Sequence, residues 1–149
     1  LTIDAGIHVP LIVQGPGVQP VGSVCDDLVD FSDFLPTLAE LCGVPIPPSR
    51  PIDGVSFRSQ LRGEPGRKRR SAYCYYNPRP GKKRFPETRF AHDGRWKLYR
   101  DGRLFDVTRD VLEKEPLPPG QNPETKAARK KLQAVLDRMP AEPKKISRL

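Results

Sequence analysis

A chain of 149 residues is long enough for one domain, yet only 36% of it is hydrophobic and 18 residues are proline, so it can bury a modest core and must leave much of its length as loop. Its three cysteines, Cys25, Cys42 and Cys74, form no Cys-x-x-Cys pair and give neither a disulfide framework nor a zinc site, and no apolar run reaches the 18 residues of a membrane span. The formal net charge of +8 is local: residues 62–84 hold nine basic side chains against Glu64, while the rest balances at 17 basic and 17 acidic.

The opening stretch, LTIDAGIHVPLIVQGPG, has a small-residue turn at Asp4-Ala5-Gly6 and an apolar run of Ile7, Val9, Leu11, Ile12 and Val13. It leaves through Gly15-Pro16-Gly17. An apolar run bounded by turn residues predicts a strand buried on both faces. Such a strand needs neighbours on both sides, and no βαβ partner follows. The expectation is that the chain begins inside a larger domain and, taken alone, exposes apolar surface at Ile7 to Val13.

Val18 to Asp30 reads as extended. Ser32 is a good N-cap for a helix over Asp33 to Cys42, with Pro36 in the first turn, where its missing N–H costs nothing. Phe34, Leu35, Leu38, Leu41 and Cys42 form one apolar stripe, and Gly43 closes the helix. Residues 44–57 are too proline-dense for helix or central strand. The run Arg62 to Arg70 reads as an exposed linker ahead of processing-site or nuclear-import readings, because charge runs are usually solvated. The predicted division is 1–62 and 63–149.

Ser71 to Tyr76 is an aromatic strand candidate, feeding the irregular loop Asn77 to Pro86. Two Asp-Gly pairs, Asp93-Gly94 and Asp101-Gly102, predict type I′ hairpin turns joining strands Thr88 to His92, Arg95 to Arg100 and Arg103 to Val107. Trp96 and Leu98 share a face, expected to pack beneath a helix from Pro123 to Met139. Asn122 would cap that helix and Pro140 stop it. Its apolar stripe is Ala128, Leu132, Val135, Leu136 and Met139.

The loop Tyr75 to Arg84 mixes aromatic, amide and cationic side chains, which suits an anionic glycan: stacking from Tyr76, an amide at Asn77, charge-assisted hydrogen bonds from Arg79 and Lys82. A basic surface loop without a partner is an equal reading. His8, in the expected buried strand, is either cleft-facing or a core histidine. The pairs Asp26-Asp27 and Asp30/Asp33 lack an accompanying histidine and fit helix capping. A basic nucleic-acid- or polyanion-binding module is the competing class, using Arg67 to Arg70 and Lys82 to Arg84. It has no zinc ligands, RNP aromatics or helix-turn-helix glycines to support it.

Three motifs carry a family resemblance. Asp4 to Gly17, D-A-G-I-H-V-P-L-I-V-Q-G-P-G, resembles the sulfatase segment that follows the active-site lysine, commonly E-G-G-x-R-V-P or D-S-G-x-H-V-P. The string D-F-S-D-F-L-P-T-L-A-E-L-C-G-V is similar to the sulfatase helix D-L-x-P-T-L-L-E-L-x-G-V, and I-D-G-V-S-F-R-S-Q-L-R-G to its following connector. R-W-K-L-Y-R-D-G-R-L-F-D resembles the sulfatase ending, a small antiparallel sheet under a terminal helix.

The resemblance implies an α/β fold: the end of a sulfatase, alkaline-phosphatase-like mixed sheet region, then a small C-terminal subdomain. It implies a parent that hydrolyses sulfate esters with a calcium ion and a formylglycine made in a C/S-x-P-x-R motif, in the periplasm or secreted. No such motif occurs in this chain, so no catalytic residue or metal ligand is assigned within it, and the chain alone is expected to be inactive. The implied partner is a sulfated substrate, with no sign of nucleic acid or membrane. A phosphohydrolase relative of the same superfamily is the nearer alternative.

Overall fold

A computed structural model describes residues 2–78, 86–120 and 122–140. The chain divides into two compact units: Val9–Ala72, and the described residues of 1–8 with those of 73–149.

The second of these is built on a four-stranded sheet in the order β1-β2-β3-β4: Ala72–Tyr76, Thr88–His92, Trp96–Tyr99 and Leu104–Asp106. β2 and β3 pair antiparallel with Ala91 opposite Leu98, and β3 and β4 with Lys97 opposite Phe105. Strands and sheet order follow the meander expected from the two Asp-Gly pairs, but the turns are not type I′, because neither Asp93 nor Asp101 has positive φ. Each aspartate instead accepts backbone N–H bonds on its side chain: Asp93 from Arg95 and Trp96, Asp101 from Arg103. Only the glycines, at φ 94° and 93°, take the left-handed region.

The helix α4, Pro123–Arg138, lies on one face of this sheet. Asn122 and Thr125 cap its N-terminus reciprocally, and Met139 stands at its C-cap. Ala128, Leu132, Val135 and Leu136 pack against Ala91, Trp96, Leu98 and Leu104. Each fully buried leucine here stabilises by about 2 kcal/mol.

The opposite face is covered too. Phe90, Tyr99, Phe105 and Val107 form a second buried cluster, against which Ile7 of a short helix α1, Asp4–Ile7, packs. All four residues of β3 are consequently buried.

In the Val9–Ala72 unit, a 3₁₀ turn at Phe31–Asp33 runs into α2, Phe34–Leu41, and a short α3 spans Arg58–Leu61. The cap is Asp30, not Ser32: its carboxylate accepts from the Ser32 N–H while the Asp33 carboxylate accepts from the Asp30 N–H. Gly43, at φ 65°, ends α2, and the N–H groups of Gly43 and Val44 return to the carbonyls of Glu40 and Ala39.

The expected buried strand at Ile7 to Val13 is not formed. Its start coils into α1, and Val9, Leu11, Ile12 and Val13 are exposed in irregular backbone. A strand is held by its neighbours' hydrogen bonds, and among the described residues none lies alongside. The stripe of α2 is likewise open to solvent at Leu35, Leu38 and Leu41.

Candidate functional site

His8 follows α1, and its N–H caps that turn on the Asp4 carbonyl at 2.9 Å. Its imidazole is 77% exposed, which corrects the expectation of a buried-strand setting, and Nδ1 lies 3.4 Å from Oδ2 of the nearly buried Asp4. Tyr76 ends β1 and is exposed. The Asn77 amide donates to the Tyr75 hydroxyl at 3.1 Å, and that hydroxyl donates to Glu87 at 3.0 Å. The Arg89 guanidinium stacks 4.8 Å over the Tyr75 ring. Tyr76 and Asn77 therefore sit side by side on a braced strand end. Arg79 and Lys82 lie outside the described residues.

The basic run is less free than a linker would be. Lys68 pairs with Asp27 at 2.8 Å, so Asp27 serves an ion pair rather than a helix cap. Arg69 grips the buried Asp33 through two nitrogens, at 2.8 and 2.5 Å, and also donates to the carbonyls of Asp53 and Ser71. Burial alone would raise the Asp33 carboxyl; the Arg69 guanidinium and the N–H groups of Val55 and Asp30 outweigh it and hold it below the usual range. Two of the four cations in Arg67 to Arg70 are thus committed to carboxylates inside their own unit, which weakens the case for a polyanion-binding face there.

Sequence reasoning missed one cluster entirely. The Lys97 side chain is fully buried between the rings of Phe90 and Tyr99, and its Nζ donates to Glu113 Oε1 at 2.7 Å and to the Thr2 carbonyl. The Tyr99 hydroxyl donates to Glu113 Oε2 at 2.5 Å, and the Asp4 N–H reaches Glu113 Oε1 at 2.7 Å. Burial lowers the Lys97 pKa, opposed by Glu113, while burial and Glu113 together push the Tyr99 phenol well above its ordinary value. A signal was available: Phe90, Tyr99, Phe105 and Val107 form a second apolar face on the strands, so a lysine between Trp96 and Leu98 could not face water.

The donor set does not fit the calcium and formylglycine that the resemblance implies. Among the described residues no group of three or more His, Cys, Asp or Glu side chains could hold a metal ion, and Cys25, Cys42 and Cys74 are followed by Asp-Asp-Leu, Gly-Val-Pro and Tyr-Tyr-Asn rather than x-Pro-x-Arg.

A meander that contains the third motif, packed by a helix and preceded by the other two motifs in order, is the arrangement expected of the C-terminal part of a sulfatase. The family profile described as N-sulphoglucosamine sulphohydrolase, C-terminal, matches residues 1–142, and the chain belongs to that family. It is 29% identical to human arylsulfatase D, over 80% of this chain and 25% of that protein. With human steryl-sulfatase it shares 26% over 91% of this chain and 28% of that protein. A solved 2-O GAG sulfatase superposes on 83% of this chain and 27% of its own, with a TM-score of 0.62 and 25% identity. The chain thus spans about a quarter of the length of these relatives. No helix among the described residues is long and apolar enough to cross a membrane.

Proposed function

We propose that this chain is the C-terminal part of a sulfatase whose complete polypeptide hydrolyses sulfate esters of sulfated glycans. The observation that carries the reading is the family match running through residues 1–142, across all three motifs in order. On this reading residues 1–62 close the parent's α/β domain and 63–149 form its small α+β subdomain. Calcium and formylglycine belong to the preceding part of the parent, which is periplasmic or secreted.

This chain's own contribution is substrate contact. Tyr76 offers a ring face to a sugar, the Asn77 amide and the cations Arg79 and Lys82 offer donors to sulfate oxygens, and His8 offers an exposed imidazole held at Asp4. A basic side chain opposite a sulfate is the usual complement in such a cleft, and support here is chemical complementarity together with family membership.

The test is the mass of the native polypeptide and the activity of the product of its complete reading frame. Sulfate release from 4-nitrophenyl sulfate or sulfated heparin disaccharides is expected from the complete polypeptide, and none from residues 1–149 alone. Release of phosphate from 4-nitrophenyl phosphate in preference to sulfate would replace this reading with the phosphohydrolase one. A native chain beginning near Leu1 would remove the catalytic claim.

A further inference from the structure

Lys97, Glu113 and Tyr99 form a cluster whose cost needs an explanation. A lysine–glutamate pair taken wholly out of water is seldom more stabilising than apolar residues of the same volume. Here the side chains are 0% and 2% exposed. Glu113 also carries the only positive φ of any non-glycine residue described, 53°, a conformation that costs about 1 kcal/mol or more outside glycine. A buried charge pair and a strained backbone meet at one residue.

What the cluster holds is the Thr2–Ala5 segment. Lys97 takes the Thr2 carbonyl, Glu113 takes the Asp4 N–H, and the Val111 carbonyl takes the Ala5 N–H at 3.2 Å. These bonds fix the N-terminal end of α1 from segments about a hundred residues away in sequence. Asp4, so fixed, presents its carboxylate to the His8 imidazole. An exposed imidazole would otherwise sample its rotamers freely.

We propose that the Lys97–Glu113–Tyr99 cluster is a positioning device that sets the Thr2–His8 turn, and through Asp4 the His8 imidazole, for engagement of the sulfated substrate. The substrate half of this inference rests on the function proposed above. None of the three is a catalytic residue. They act through the backbone they hold.

The decisive comparison uses the product of the complete reading frame with Lys97→Met, the paired replacement Lys97→Met/Glu113→Leu, and His8→Gln. Lys97→Met strands a buried carboxylate and lowers stability, which any structural role would do. The paired replacement removes both charges and is expected to restore the melting temperature without restoring the grip on Thr2 and Asp4. Hydrogen exchange in residues 3–8 then stays about ten-fold or more faster than in wild type, while exchange in α4 returns to the wild-type rate.

On sulfated heparin disaccharides the paired variant is expected to raise KM by about as much as His8→Gln, with kcat little changed. Combining the two adds nothing further, since residues acting as one unit are non-additive. Restored exchange and KM in the paired variant would overturn the inference and make the cluster merely structural. Additive KM effects would overturn its route through His8. A wild-type polypeptide with no sulfate-ester turnover would overturn the functional reading and the substrate half of this inference together, and the exchange comparison would still decide the grip.

Discussion

Asp33 does more for its unit than cap a helix. Its carboxylate gathers Arg69, Val55 and Asp30 from three stretches of chain, and at 1% exposure it has no water to replace them. Asp33→Asn should cost about 3 kcal/mol in urea denaturation, because it leaves the Arg69 guanidinium without its anion. The pH dependence has a definite sign. The folded carboxyl titrates below its unfolded value, so its stabilisation is complete above the ordinary carboxylate range and is lost as pH falls through the folded value. Acid denaturation monitored below about pH 4 should show an arm in wild type that is absent in Asp33→Asn. Arg69 was read from the sequence as part of a solvated run. Nothing local distinguishes it from Arg67 or Arg70, since its partner lies 36 residues away. The burial of Lys97 was legible from its neighbours on the strands, but its partner was not: Glu113 is brought to it by a left-handed backbone that no propensity foretells.

Elements defined by local chemistry were legible. Thr88–His92 has the bounds expected of it, and α4 begins at Pro123 after Asn122 as its cap residues require. Asn122→Ala should destabilise the sheet unit by about 1 kcal/mol, read from its thermal midpoint, by removing the acceptor of the Thr125 N–H. Gly102→Ala should cost a similar amount, about 1 kcal/mol, because a Cβ at φ 93° is strained even though the space around it is open. Gly54→Ala has a different cause and a larger effect. A Cβ there would overlap the Ser32 carbonyl oxygen and the Pro36 ring, so the connector must move away from α2. The loss of the Val55 N–H bond to Asp33 that follows would appear as raised exchange at Val55. The element that sequence reasoning misjudged, the opening strand, depends on partners rather than on its own residues. Its apolar run was correctly seen; its pairing was never encoded within it.

For the whole molecule, the apolar surface is the governing fact. Ile12 is 88% exposed in irregular backbone, and Leu35 at 59% and Leu38 at 55% line up along α2, where a folded surface ordinarily scatters such side chains singly. Ile7, expected among the exposed residues, is packed under the sheet, so the open run is Val9 to Val13. Residues 1–149 expressed alone should bind an apolar dye strongly and sediment as concentration-dependent assemblies. A monodisperse, dye-silent monomer would contradict this. The same polypeptide should release no sulfate from 4-nitrophenyl sulfate, since it carries no C/S-x-P-x-R motif from which the nucleophile proposed for the parent would be made.

β3 has no solvent face, and this has a consequence for how the protein tolerates change. An antiparallel strand with one wet side accepts drift at every second position. Here Trp96 and Leu98 answer to α4, while Lys97 and Tyr99 answer to Glu113 and the Thr2 carbonyl. A saturation scan of the sheet should therefore find four consecutive intolerant positions at 96–99, where alternation would allow two, and the least replaceable of the inward-facing set would be a charged one.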